Sequence, residues 1–293
     1  MRIILPLILL LWIQLFASLA HTWQHGEYYA FGWFVPFLAA GLAWRRWSII
    51  PPAARPQPAN PTSGTPLAII LLAAAAVIIP LRLIGTLDPG WRPPILIHVV
   101  LVVAITHALL GVVAGRRISI GFIPVTIFAL SAVPYPWRIE QEIIRTLTGS
   151  VLMFTHESFL LAGQPVELIG ERLALGDDVV EVNDGCSGIR SFQTLVMVAL
   201  FFGELFLLPA GRRIALIAAA AISAVAFNTL RAYWLANTHF VHGIEAANAA
   251  HDRIGHTSFI LSAATLWIAA YILLHLNFQR RTVIRRTLTA APR

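Results

Sequence analysis

The chain has little charge, a single cysteine and no lysine. Of its 293 residues, 12% are charged and 58% are hydrophobic, whereas charged residues make up about 25% of a typical soluble chain. This composition excludes a water-exposed globular fold, because too few polar side chains remain to cover its surface. One cysteine excludes an intrachain disulfide and a multi-cysteine metal site. Cys186 is therefore interpreted either as a small residue that fills a turn or as a reactive thiol.

The basic residues are all arginines, and the formal net charge is +7. They stand between long apolar runs rather than on one face, so they indicate charges that orient a membrane protein and not a nucleic-acid-binding surface. The chain also lacks a Gly-rich phosphate loop. We expect no nucleic acid partner and no cofactor.

Apolar runs close to span length predict an all-α polytopic membrane protein of about eight transmembrane helices. The predicted spans are 3–20, 29–44, 67–85, 95–114, 118–134, 187–208, 213–235 and 257–276. The first run resembles a signal peptide, but the runs that follow it favour an uncleaved span. We expect a single domain over 1–293, with a Pro-rich cytoplasmic linker at 51–66, an extracytoplasmic insert at 135–186 and a basic cytoplasmic tail at 277–293.

Arginine is enriched in the cytoplasmic loops of membrane proteins. If eight spans alternate, one side of the membrane receives most of the arginines and is predicted to be cytoplasmic. That side holds Arg2, Arg45, Arg46, Arg55, Arg116, Arg117, Arg212, Arg213, Arg280, Arg281, Arg285 and Arg286. In a bacterial inner membrane both termini would then be cytoplasmic, and the outer loops would face the periplasm.

The insert predicts two elements outside the cytoplasm. Apolar residues recur every four positions from Ile139 to Val151, which predicts an amphipathic helix over 138–161 in the membrane interface, with Glu140 on its polar face. Three β-prone runs separated by Gly and Asp follow and predict a small β-hairpin ahead of the fifth-to-sixth span junction. They are 166–169, 173–175 and 179–182. An open sheet edge cannot be satisfied in lipid, so the hairpin must lie outside it.

Cys186 stands directly before the sixth span. A helix N-terminus carries partial positive charge and unpaired N–H groups, which favour the thiolate over the thiol. Gly185 and Gly188 on either side allow a tight turn and the close approach of a peptide. The segment therefore predicts a nucleophile at the outer face. Ser187 and Arg190 are candidate substrate-binding or supporting residues.

Two further spans carry polar residues near their outer ends. A charge within a membrane helix is costly, so Arg231 in the seventh span needs a partner or a function; the alternative is that it snorkels to the headgroups. Asn228 shares its helix face and is a candidate supporting residue. Before the eighth span, His251 is a candidate acid or base. Four histidines in this region also allow a metal site, but none has a strong ligand spacing, and we expect no metal. They are His239, His242, His251 and His256.

These motifs resemble the exosortase and archaeosortase family. The resemblance rests on Cys186-Ser187-Gly188-Ile189-Arg190-Ser191, Asn228-x-x-Arg231 and His251-x-x-x-Gly255, with the segment from Tyr29 to Pro36 as an earlier match. It implies a multi-spanning enzyme that recognises a C-terminal sorting signal made of a short motif (often Pro-Glu-Pro), one transmembrane helix and a basic tail. It further implies that Cys186 is the nucleophile, Arg231 the oxyanion donor and His251 the proton carrier. Many exosortases have His-Gly where this chain has Phe31-Gly32.

The expected function is that of a membrane-embedded cysteine protease or transpeptidase. Exported proteins that carry the sorting signal would be its partners, membrane lipids would surround it, and a lipid or glycan would accept the cleaved chain. The alternative is a non-enzymatic transporter or assembly factor of an envelope polysaccharide export system. In that case Cys186 would have no chemical role.

Overall fold

The computed structural model describes residues 4–26, 28–51, 64–176, 178–181 and 188–289. Most of these residues are helical. The helices are α1 Ile4–His25, α2 Val35–Ile49, α3 Gly64–Leu87, α4 Arg92–Ala114, α5 Arg116–Gly121, α6 Ile123–Leu130, α7 Trp137–Leu161, α8 Ile189–Leu205, α9 Ala210–His242 and α10 Ile244–Thr289, with a 3-10 helix at Ala30–Trp33. Residues 52–63, most of the predicted linker, lie outside the described residues.

Four of the described helices are long and apolar enough to cross a membrane, namely α1, α4, α9 and α10. Large apolar side chains remain exposed along them, such as Leu5 on α1, Val112 on α4 and Ile222 on α9. Apolar surface of this kind is suited to lipid as the surrounding solvent. The chain is therefore a polytopic helical membrane protein, and the count of eight spans stays a prediction.

The chain divides into two compact units, Met1–Trp137 and Arg138–Arg293. In the first unit α1 and α3 pack on α4, where Ile78, Ile105 and Leu109 form a buried apolar cluster. The indole N–H of Trp23 has a partner within this unit, because it donates to the carbonyl of Ala132 at 2.9 Å. The expected domain boundaries stay predictions.

The fifth predicted span, 118–134, differs from the structure. Two short helices, α5 and α6, occupy this region, and they are separated at Phe122. Pro124 explains the break, because it has no N–H to donate and its ring collides with the carbonyl four residues earlier. The apolar run is present as predicted, but it does not form one continuous helix.

The amphipathic helix predicted over 138–161 is present as α7, which opens the second unit. Its buried face includes Leu147 and Val151, as predicted, but differs from the prediction in the first turn. Glu140, expected on the polar face, is 2% exposed, whereas Ile139, expected on the apolar face, is 51% exposed. A carboxyl group that is buried must be paired or hydrogen-bonded, and Glu140 does have an interaction partner. Polar pairing thus overrides the apolar repeat at the start of the helix.

The predicted hairpin is a three-stranded antiparallel sheet. Its strands are β1 Glu167–Ile169, β2 Arg172–Leu175 and β3 Asp178–Glu181, in the order β1-β2-β3. Each of the three β-prone runs supplies one strand, and β2 pairs with both neighbours. Leu173 of β2 is fully buried against Phe159 of α7 and Ala236 of α9. The sheet is therefore anchored to the helices of the second unit.

Helices α8, α9 and α10 form the rest of the second unit. Their shared core includes Leu195, Leu216 and Leu266, together with small residues of α9 such as Ala220 and Ala224. Small residues let membrane helices approach closely. The turn from α8 to α9 is closed by Arg213 and Glu204.

That pair is one of the few ionic contacts inside the unit. The guanidinium of Arg213 donates to the Glu204 carboxylate at 2.8 Å and to the Leu208 carbonyl at 2.7 Å. The side chain of Glu204 is 2% exposed. These bonds fix the start of α9 against the end of α8, and so fix how the two helices run towards the candidate site at their opposite ends.

Candidate active site

Helix α8 begins directly after Gly188, which packs against α9. Gly188 has φ +75°, in the left-handed region. A Cβ added at this position would lie 2.6 Å from Cγ of Asn228, which is closer than real Cβ atoms come to a neighbour. Asn228 is itself 5% exposed. Only glycine therefore fits here, and the contact fixes the first turn of α8 beside Asn228. Cys186 and Ser187 lie outside the described residues.

Arg231 and His251 meet across α9 and α10. Nη2 of Arg231 is 2.9 Å from Nε2 of His251. A guanidinium can only donate, so Nε2 is the acceptor and the imidazole carries its hydrogen on Nδ1. That Nδ1–H faces Oδ1 of Asp252 at 3.4 Å, a long contact. The two residues that the sequence predicted on separate spans thus form one hydrogen-bonded pair.

Gly255 of α10 also lies beside the guanidinium. Gly255 follows His251 by one turn of α10, and a Cβ added to it would lie 3.6 Å from Nε of Arg231. Asn228 and Arg231 are three residues apart on α9 and share a face. The face of α9 that holds the start of α8 therefore also presents the arginine to α10.

The remaining predicted residues occupy different positions. Arg190 lies in the first turn of α8, is exposed and has an interaction partner. His239 and His242 lie in the last turn of α9, eight or more residues beyond Arg231. Within the described ranges no three His, Cys, Asp or Glu side chains come together as a metal site would require.

Sequence reasoning missed two residues near the pair. Asp252 is adjacent in the chain to His251, and Ser258 follows Gly255 by three residues, so both share this end of α10. The i, i+3 spacing from Gly255 was the available signal for Ser258. Its side chain is 4% exposed, and it lines a small cavity with Arg231.

Comparison with known families gives one match. The family described as transmembrane exosortase (Exosortase_EpsH) matches residues 23–268, which is most of the chain and includes all three motifs. No curated protein and no solved structure matches the chain.

Proposed function

The chain belongs to the transmembrane exosortase family, and from that premise we propose that it is a membrane-embedded cysteine protease or transpeptidase. Its substrates are exported proteins with a C-terminal sorting signal of a short motif, a transmembrane helix and a basic tail. It cleaves the signal through a thioester and transfers the protein to an envelope acceptor, a lipid or a glycan. The observation that carries this proposal is the contact of Arg231 with His251.

The contact matters because Cys186 is close in the sequence to a residue that packs against the same face of α9. Gly188 packs on Asn228, one helical turn before Arg231. Cys186 is two residues before Gly188, and two residues of extended chain cover about 7 Å. This supports a single site made of thiol, guanidinium and imidazole.

The proposed reaction assigns one step to each group. The Sγ of Cys186 attacks the scissile carbonyl carbon, and its proton passes to Nε2 of His251. Arg231 turns its N–H groups from His251 to the oxyanion, which frees Nε2 for that proton. When the tetrahedral intermediate collapses, the C–N bond breaks and His251 protonates the leaving amine. An acceptor hydroxyl or amine then releases the thioester.

We further propose that the site faces the periplasm of a bacterial inner membrane crossed eight times. Arg231 is 21 residues after the start of α9, a distance of about 32 Å at 1.5 Å per residue. The hydrocarbon core is about 30 Å thick. Measured from Arg213, which with Arg212 marks the cytoplasmic end, the distance to Arg231 is about 27 Å, so Arg231 lies close to the opposite interface. Single cysteines introduced into Cys186→Ser at loop positions on each side, labelled by an impermeant reagent, test this topology.

The main experiment removes the thiol. A reporter protein that ends in such a sorting signal is co-expressed with the wild type or with Cys186→Ala, and its processing is followed by mass. We expect processing to stop in the variant, because no thioester can form. Processing at the wild-type rate would refute the nucleophile assignment.

A second measurement separates an enzyme from a transporter or assembly factor. Because Cys186 is the only cysteine, a thiol-selective probe reports this residue alone, and Cys186→Ser is its blank. An activated thiol reacts well below the pH at which an ordinary cysteine does, near ~8.5. An ordinary profile would favour the non-enzymatic alternative.

The role of His251 is tested by His251→Gln. Glutamine can still accept a hydrogen bond from Arg231, but it cannot carry a proton. We expect processing to fall as far as in His251→Ala. Near-normal processing in His251→Gln would show that His251 only orients Arg231.

A further inference from the structure

A small polar cavity lies beside Arg231, between α8, α9 and α10. Its volume is about 20 Å³, and its polar wall includes Ser191, Asn228, Arg231, Ser258 and Ser262. A cavity needs roughly 10–15 Å³ to hold a water molecule, together with two to four polar partners. The size therefore suits one water molecule.

Two buried polar atoms on this wall have no hydrogen-bond partner within the described residues. They are Nε of Arg231 and Oγ of Ser258. Buried polar groups are almost always hydrogen-bonded, so each requires a partner. Leaving the guanidinium N–H without a hydrogen bond costs more than leaving the hydroxyl without one, because the guanidinium is charged.

Ser258 differs from its hydroxyl-bearing neighbours on α10. Thr257 donates to the carbonyl of Arg253 at 2.8 Å, and Ser262 donates to that of Phe259 at 2.7 Å. Such bonds back to the helix are the usual outcome for a serine or threonine in a helix. The hydroxyl of Ser258 makes none, although it is 4% exposed. It remains available to a partner inside the cavity.

We propose that the cavity binds one ordered water, which bridges Arg231 and Ser258. The water oxygen accepts from Nε–H of Arg231, and one of its hydrogens is donated to Oγ of Ser258. Ser191 and Asn228 supply further polar atoms on the wall. The bridge closes both open hydrogen-bonding positions in one step.

This bridge makes Ser258 a positioning residue for Arg231, an assignment that rests on the proposed function. A guanidinium is planar, so a fixed Nε restrains the plane in which the terminal N–H groups lie. The whole guanidinium can then pivot within that plane, about its bond to the water, from His251 towards the oxyanion. Misplacement of such a donor lowers the rate of the chemical step rather than substrate binding.

The test compares Ser258→Ala with Ser262→Ala. Both residues line the cavity and both are buried, but the hydroxyl of Ser262 is already used within its own helix. We expect kcat to fall about ten-fold in Ser258→Ala with KM unchanged, and by less than about two-fold in Ser262→Ala. Equal effects of the two substitutions on kcat would overturn the proposal.

A third variant, Gly255→Ala, addresses the water directly. The added methyl would stand 3.6 Å from Nε of Arg231, an ordinary contact, so the chain should fold while the methyl takes the space of the water. We expect its kcat to fall as in Ser258→Ala. A kcat equal to that of the wild type would count against the bridge.

A high-resolution structure of the full chain gives a readout that is independent of activity. It should show a water within hydrogen-bonding distance of Nε in the wild type and in Cys186→Ala, and none in Gly255→Ala. A dry wild-type cavity would refute the bridge and leave the proposed function intact. A hydrated cavity in a chain that processes no sorting signal would refute only the proposed function.

Discussion

Replacing Gly188 with alanine should disrupt the contact between the start of α8 and α9. The left-handed conformation of Gly188 (φ +75°) costs an L-residue about 1–2 kcal/mol. The added Cβ would also stand 2.6 Å from Cγ and 3.0 Å from Cβ of Asn228. Because Asn228 is short and buried, it cannot simply swing aside, and overpacking of this kind costs about 1–3 kcal/mol. The expected loss of unfolding free energy is therefore about 2–5 kcal/mol.

A matched control isolates the collision from the backbone strain. Gly163 has φ +76°, and an added Cβ there meets no atom within 4 Å. Gly163→Ala should therefore lose only about 1–2 kcal/mol and should process a sorting signal at the wild-type rate. Denaturation in detergent micelles measures the first quantity, and the reporter assay measures the second.

A second substitution should partly rescue the stability of Gly188→Ala. In an Asn228→Ala background the substitution Gly188→Ala should cost less stability than it does in the wild type, because the colliding amide is gone. If Gly188→Ala were no more destabilising than Gly163→Ala, or if the cost were unchanged in that background, the contact between the start of α8 and α9 would not be the one described.

Two further predictions concern stability away from the site. Glu204→Ala should lower the free energy of unfolding by about 2–4 kcal/mol, which is below the roughly 3–5 kcal/mol of a fully buried pair because Arg213 is 21% exposed. Glu142→Gln, in an exposed pair, should leave the denaturation midpoint unchanged. Equal effects of the two substitutions would contradict this prediction. Gly32→Ala should cost about 1–3 kcal/mol because the methyl would collide with a buried indole ring. Gly41→Ala, with no atom nearby, should not destabilise α2, and a loss there equal to that of Gly32→Ala would refute the collision.

Much of the fold could be predicted from the sequence because the patterns that indicate it are local. A β-prone run bounded by Gly and Asp became a strand in all three cases, and the amphipathic repeat from 138 became α7. The first turn of α7 was not predicted correctly, since Glu140 is buried and has an interaction partner that the apolar repeat does not reveal. Likewise, apolar composition predicted one continuous span over 118–134 but gave too little weight to Pro124, which interrupts the helix within that run.

The residues of the candidate site could be predicted from the sequence, but the hydrogen bonds between them could not. Arg231 and His251 were identified because charged and titratable groups are rare at such positions. That they touch depends on the register between α9 and α10, which no single helix encodes. Ser258 looked like any serine in an apolar helix, and only the bond that it does not make to its own helix distinguishes it. The place of Cys186 relative to the pair stays a prediction.

The magnitudes suggest why an arginine paired with a neutral histidine suits this reaction. A hydrogen bond that involves one charged group contributes about 1.5–3 kcal/mol. The neutral carbonyl of a bound substrate and the neutral Nε2 of His251 both fall in this range as acceptors, so Arg231 has no clear gain from leaving His251 for the carbonyl. An oxyanion donor contributes about 2.7–4 kcal/mol. Arg231 should therefore stay on His251 while substrate binds and move only as negative charge develops on the carbonyl oxygen. In the reaction that we propose, the same movement would free Nε2 at the moment when the thiol proton needs an acceptor, and the pairing would then favour the transition state over the bound substrate.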